Sequence, residues 1–164
     1  MQEDRKIVII DSDFLSSFLK IGKLFLIKEF FKVDKLYIPV AVFREIAKTG
    51  LIKDLLDYKY IIIEKIDERS FGNYDINFQN LGSGEKECII LCKQFQNSLL
   101  LISDKKALNI AKKYEVGVLN IPSFLFACKI TEFLGREDIQ NIIDDLKEKD
   151  YYEFTTDEKK RLLK

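Results

Sequence analysis

The sequence predicts a three-layer α/β/α fold around a central, mostly parallel sheet of four to five strands. Three observations predict it. Short β-branched apolar runs such as Lys6-Ile-Val-Ile-Ile10 lack apolar/polar alternation, as expected of strands buried on both faces. Segments with helical spacing follow these runs, the alternation of a parallel sheet with crossover helices. At 164 residues, 47% hydrophobic and 33% charged, the chain has the length of one domain with one core.

In order, Lys6–Ile10 reads as the first strand and stops at Asp11. From Asp11 to Lys20 the spacing becomes helical, with Phe14, Leu15, Phe18 and Leu19 on one stripe, and a second helix is expected from Gly22 to about Phe31. Leu36–Ile38 is the next strand. Pro39 suits the first turn of a helix over Val40–Lys48, which Gly50 ends. A short helix over Leu51–Asp57 and a strand over Tyr60–Ile63 follow. Asp67–Gln79 is polar, spotted with aromatics and aperiodic, so a mobile loop is expected.

Gly82-Ser-Gly-Glu85 opens a helix running to about Gln96, with Ser83 or Gly84 as its cap. Leu99–Ile102 is a strand, Lys105–Tyr114 a helix, Val116–Leu119 a strand, and Pro122 starts a helix to Phe133. A last helix over Arg136–Glu148 ends the domain, assigned to residues 1–150. Residues 151–164 form a charged tail, part of the same domain or a partner-binding element, in which Thr155 or Thr156 caps a helix over Asp157–Leu163. No internal repeat or low-complexity segment is present.

Composition excludes several functions. With 27 basic and 27 acidic side chains there is no net attraction for a polyanion, so nucleic acid must be held by a local patch. The charged start, Met1 to Lys6, does not resemble a secretory signal, and Val116–Cys128 is too short and too polar to span a bilayer. A cytoplasmic protein without a membrane segment is expected. Cys88, Cys92 and Cys128 sit in apolar segments and fit reduced core thiols; with no histidine they do not complete a zinc site. The absence of histidine also removes serine and cysteine triads, zinc-peptidase motifs and a histidine general base.

Carboxylates remain as the chemical toolkit. In open α/β sheets ligands gather beyond the carboxyl ends of strands, and Asp11 and Asp104 each end an apolar strand and begin a helix. Taken singly, both are explained as helix caps. Glu45 lies among apolar neighbours Phe43, Ile46 and Ala47, and Glu85 shares a helical stripe with Cys88, Ile89 and Cys92, whereas Glu87 points elsewhere and is the fallback. Four carboxylates at one sheet end would repel by several kcal/mol, on the order expected at reduced dielectric. A hard divalent cation relieves that repulsion, and oxygen-only ligands select Mg²⁺ or Mn²⁺. Such an ion activates water and stabilises charge on a phosphoryl oxygen.

Four segments carry a family resemblance. Val8-Ile-Ile-Asp11-Ser12, Pro39-Val-Ala-Val-Phe-Arg-Glu45-Ile46, Gly84-Glu85-Lys-Glu87-Cys-Ile89 and Leu101-Ile-Ser-Asp104-Lys-Lys-Ala107 resemble, in order, the acidic motifs of PIN-domain ribonucleases. The short prokaryotic branch, which includes toxins of toxin-antitoxin pairs, is the most similar. The resemblance implies a metal-dependent endoribonuclease whose ligands are Asp11, Glu45, Glu85 and Asp104, with Ser12 and Ser103 orienting them and Asp13 assisting. It also implies RNA as substrate, a small antitoxin protein as partner and a homodimer. Lys105, Lys106, Lys112 and Lys113 are candidates for holding phosphates, and Phe71, Tyr74 and Phe78 for stacking bases, although solvated lysines and ordinary loop aromatics explain both sets as well.

The sequence departs from the family pattern at Asp13, Ser103, Leu108 and Asn120, where relatives often carry a neutral polar residue, aspartate, arginine and glycine. A non-catalytic PIN-like scaffold binding RNA or a protein partner is the alternative, and a metal-dependent DNA nuclease a third reading.

Overall fold

The computed structural model describes residues 5–67, 69 and 72–164. The charged opening Met1–Asp4 and the base-stacking candidate Phe71 therefore lie outside the described residues. Five strands form one parallel sheet: β1 (Ile7–Ile10), β2 (Leu36–Pro39), β3 (Ile61–Glu64), β4 (Ser98–Leu101) and β5 (Val118–Leu119), in the order β3-β2-β1-β4-β5. β1 is central because both its faces are apolar: Val8, Ile9 and Ile10 are fully buried although consecutive residues point to opposite sides.

Helices cover the sheet to give the three layers. α1 (Ser12–Lys20), α2 (Phe25–Phe31), α3 (Val40–Ala47) and α4 (Ile52–Leu56) belong to the first half of the chain. α5 (Ile76–Gln79), α6 (Ser83–Gln94), α7 (Lys105–Lys113), α8 (Ile121–Ile130), α9 (Arg136–Asp150) and α10 (Thr156–Leu163) complete it. α6 lies on β1, β2 and β4 and packs against α3, while α1, α8, α9 and α10 are linked by mutual contacts. Phe124 of α8 meets Phe14 and Phe18 of α1 edge-on, at 6.1 and 5.7 Å between ring centroids, and Phe30 at 5.4 Å. The tail joins the same core through Phe154 and Leu162, and its helix starts at Thr155, whose hydroxyl accepts the Glu158 N–H.

Several boundaries differ from the sequence reading for local reasons. Gly22 takes a left-handed conformation (φ 67°) in the turn after α1, so α2 begins at Phe25 rather than Gly22. Pro39 closes β2 and caps α3 instead of occupying its first turn. The cap of α6 is Gly82, not Ser83 or Gly84. α8 stops at Ile130 because Glu132 turns left-handed (φ 60°). Within the expected mobile loop, the Asp75 carboxylate accepts the Phe78 N–H and caps α5. Phe78 is buried and stacked on Tyr74 at 3.9 Å, so it is not presented for base stacking.

The Asn120 side chain caps α8, accepting the Ser123 N–H at 2.9 Å. Leu108 packs against the core. The three cysteines are free and buried, and no helix among the described residues is long and apolar enough to cross a membrane.

Phe124 joins three helices through ring contacts, so Phe124→Ala is expected to destabilise the fold by about 3–5 kcal/mol, measured by urea unfolding. A cost near zero would show that the aromatic cluster repacks freely.

Candidate functional site: a carboxylate cluster at the switch point of the sheet

From β1 the chain builds outward through β2 to β3, then returns to the other side of β1 for β4 and β5. The order therefore reverses between β1 and β4, and in open parallel sheets the crevice forms beyond the carboxyl ends of such a strand pair. Asp11 follows β1 directly, its N–H bonded to the Leu101 carbonyl of β4 at 2.9 Å. Asp104 follows β4 after Ile102 and Ser103.

Asp11 sits at the N-cap position of α1 but makes no side-chain capping bond. It is only 2% exposed. Burial first of all, then the charges of Glu85, Asp13 and Glu45, push its carboxyl up to about 7, against a partial lowering by the Ser12 backbone N–H. The Cys88 thiol, itself held protonated by burial, lies 3.9 Å from Asp11 Oδ1, the reach of a weak S–H donor.

The other acids gather around it. Glu85 is raised by burial and by Asp104, Asp13 and Glu45, although its Oε2 also accepts the Gly82 N–H at 3.2 Å. Asp13 is raised by burial, then by Glu45, Asp104 and Asp150; Lys20 lowers it in part, and that lysine is paired to Asp150 at 2.7 Å. Glu45 is exposed at the end of α3 and accepts a short hydrogen bond from Ser12 Oγ. Gly84 is what lets α6 come this close: a Cβ there would overlap Glu45 Oε1 and stand 3.1 Å from its Cδ. Asp104 caps α7 through Ala107 N–H at 2.8 Å, and couples to the group through Glu85 and Asp13.

Asp11, Glu45, Glu85 and Asp104 thus share one electrostatic neighbourhood, and Asp13 belongs to it as a fifth carboxylate. Its position two residues after Asp11 was the signal for this. Glu87 is separate: its Oε1 accepts the Ala41 N–H at 3.2 Å in the first turn of α3. Ser12 orients an acid, whereas Ser103, expected to do the same, has a buried hydroxyl with no hydrogen-bond partner among the described residues. Lys105, Lys106 and Lys113 line a shallow depression of about 550 Å³ with Asn77, Asn109 and Ile110, next to Asp104 in the chain; Lys112 is exposed but does not line it.

Among the described residues no three acids or thiols stand close enough to hold a metal ion as their side chains are now turned. The donor set nevertheless suits a hard cation. It is made of oxygens, no lysine or arginine is among the main influences on Asp11 or Glu85 from the described residues, and the Ser103 hydroxyl, buried without a partner among those residues, lies beside Asp104 in the chain.

The sequence model of one family, described as a PIN domain, matches residues 7–162. A solved structure, the PilT N-terminus domain protein SSO1118 from the hyperthermophilic archaeon Sulfolobus solfataricus P2, is similar with a TM-score of 0.52 and 25% identity. The match covers 71% of this chain and 87% of that one. No curated protein matches the sequence.

The raised carboxyl of Asp11 links stability to pH. The folded state holds the proton up to about pH 7 and the unfolded chain releases it near 3.8, so the folded state binds more protons between those values. That stabilising contribution is complete below about pH 4 and lost as pH rises through 7. In chelator, the protein is expected to melt lower at pH 8 than at pH 5. Asp11→Asn should raise the melting temperature at pH 8 by roughly 5 °C or more. An unchanged or lower value would contradict the buried, uncompensated charge.

Proposed function

Because this chain belongs to the PIN-domain family, whose members are commonly nucleases, we propose that it is a metal-dependent endoribonuclease that hydrolyses RNA phosphodiester bonds. The observation that carries the proposal is the carboxylate cluster at the switch point of the sheet: a buried Asp11 coupled to Glu85, Asp13 and Glu45, with Asp104 coupled in turn to Glu85 and Asp13. PIN domains generally use divalent ions, and Asp11, Glu45, Glu85 and Asp104 are the residues that would hold Mg²⁺ or Mn²⁺ here. The ion, when bound, makes water a nucleophile at neutral pH and offsets charge on the phosphoryl oxygens.

The chain's own residues do the rest. Ser12 holds the Glu45 carboxylate by its hydrogen bond, and Gly84 leaves the space in which that carboxylate sits. Lys105, Lys106 and Lys113, which line the depression on α7, would draw in the phosphate backbone. Hydrolysis then needs no histidine, because carboxylates of the cluster accept the proton of the attacking water.

One observation favours a second reading. Glu85 and Asp104 each spend an oxygen on a helix terminus, and no three acids converge among the described residues, which suits a PIN-like scaffold that binds RNA or protein without cutting.

Cleavage assays separate the two. RNA cleavage with Mg²⁺ or Mn²⁺ is expected, abolished by chelator, and reduced at least about 100-fold in Asp11→Asn. Equal, metal-independent behaviour of wild type and variant would select the scaffold. Gly84→Ala provides a finer check. Its methyl meets only the flexible end of Glu45, so folding should survive within about 1 kcal/mol while cleavage falls about tenfold, as for loss of a group that orients a ligand. Undiminished cleavage would show that the position of Glu45 is immaterial.

A further inference from the structure

The opposite end of the sheet carries a second charged feature. β1 and β2 are neighbours that start side by side, with Lys6 just before Ile7 and Lys35 just before Leu36. α2 ends next to them at Lys32, which takes a left-handed conformation (φ 53°) while its N–H reaches Glu29 O and that of Val33 reaches Lys28 O, both at 3.2 Å. Glycine is the usual residue in such a helix-closing position, so a lysine there carries a conformational cost.

These three segments enclose an open cavity of about 710 Å³. Arg5, Lys6, Lys32 and Lys35 line it, with Asp34 as the acidic residue among the described lining groups. The chain as a whole is neutral, so this excess is local. None of the four cations forms an ion pair among the described residues. The wall also holds the edges of two partly buried aromatic rings that pack on the core, Phe31 against Phe30 and Phe124 and Tyr37 against Phe95, and Lys6 Nζ stands 5.9 Å from the centroid of Phe31.

A single phosphate would leave most of this space empty and would have no use for the rings. Cations interleaved with aromatic faces are the recognition chemistry of a single-stranded nucleic acid, whose phosphates meet lysine and arginine while its bases stack. The cavity is also remote from the acids. Five residues of extended chain at about 3.3 Å each put Lys6 roughly 16 Å from Asp11.

We propose that the cavity formed by Arg5, Lys6, Lys32, Lys35, Phe31 and Tyr37 is a second binding site, which holds a flanking stretch of single-stranded RNA away from the carboxylate cluster. The choice of RNA rests on the nuclease reading above; the cationic-aromatic chemistry does not. The site adds to the attraction of the α7 lysines at a distance from the acids.

The test measures binding of a long unstructured oligoribonucleotide to the full chain carrying Asp11→Asn in chelator, with and without Lys32→Glu and Lys35→Glu together. The expected result is about a tenfold loss of affinity for strands of any base composition. The slope of log affinity against log salt should fall by about 1.4, the share of two phosphate contacts on a single strand. Lys32→Gln with Lys35→Gln, a milder pair, should lose affinity in the same direction, and thermal melting verifies that each variant folds. Unchanged affinity and slope would overturn the site. So would loss of adsorption to phosphatidylserine vesicles with RNA binding intact, which would assign the cavity to a membrane surface. Failure of the nuclease reading appears separately, as a wild-type chain that binds RNA through these lysines yet does not cleave it with Mn²⁺.

Discussion

Burial of Asp11 without a counter-charge is the constraint on which the rest of this structure turns. A carboxylate taken out of water needs either a paired cation or enough hydrogen bonds to replace hydration. Asp11 has the Ser12 backbone N–H and a distant thiol, and three further acids raise its proton affinity. The group therefore responds by keeping its proton to an unusually high pH. The same deficit is what a divalent cation would fill, so a local cost to stability and an affinity for a hard ion have one physical origin.

The sheet makes that arrangement possible. β1 and β4 are buried on both faces and bonded in register from Ile7 with Ser98 to Ile10 with Leu101. The start of α1 and the loop to Asp104 are thereby fixed on a rigid base. α3 and α6 complete the ring because glycine at position 84 permits close approach of the Glu45 carboxylate. Three acids are held by neighbouring donors: Glu45 by Ser12, Glu85 by the Gly82 N–H and Asp104 by the Ala107 N–H. Those bonds keep the repelling groups apart, which accounts for a cluster that is coupled in charge without three members in contact among the described residues.

Much of this was legible in the sequence. The apolar runs of β1 and β4 lack alternation, and each gives way abruptly to an acid and helical spacing, so the parallel sheet and the positions of Asp11 and Asp104 could be read directly. Glu85 was singled out over Glu87 by the stripe it shares with Cys88, Ile89 and Cys92. What depended on side-chain partners was not legible. Ser103 resembles Ser12 in sequence, yet only Ser12 faces an acceptor. Phe78 looked like a loop aromatic because α5 is a single turn, too short to show a period. The basic cavity draws on residues before β1, before β2 and at the end of α2, and no local pattern joins segments brought together only by strand pairing.

If the acids around Asp11 act as one charge cluster, a divalent cation binds them in exchange for a proton. Calorimetric titration of Mn²⁺ into the protein at pH 6, repeated in two buffers of different ionisation enthalpy, tests it directly. Binding accompanied by release of about one proton is the predicted result, because Asp11 is mostly protonated at that pH in the ion-free fold. Absence of Mn²⁺ binding, or binding without proton release that persists in Asp11→Asn, would contradict it.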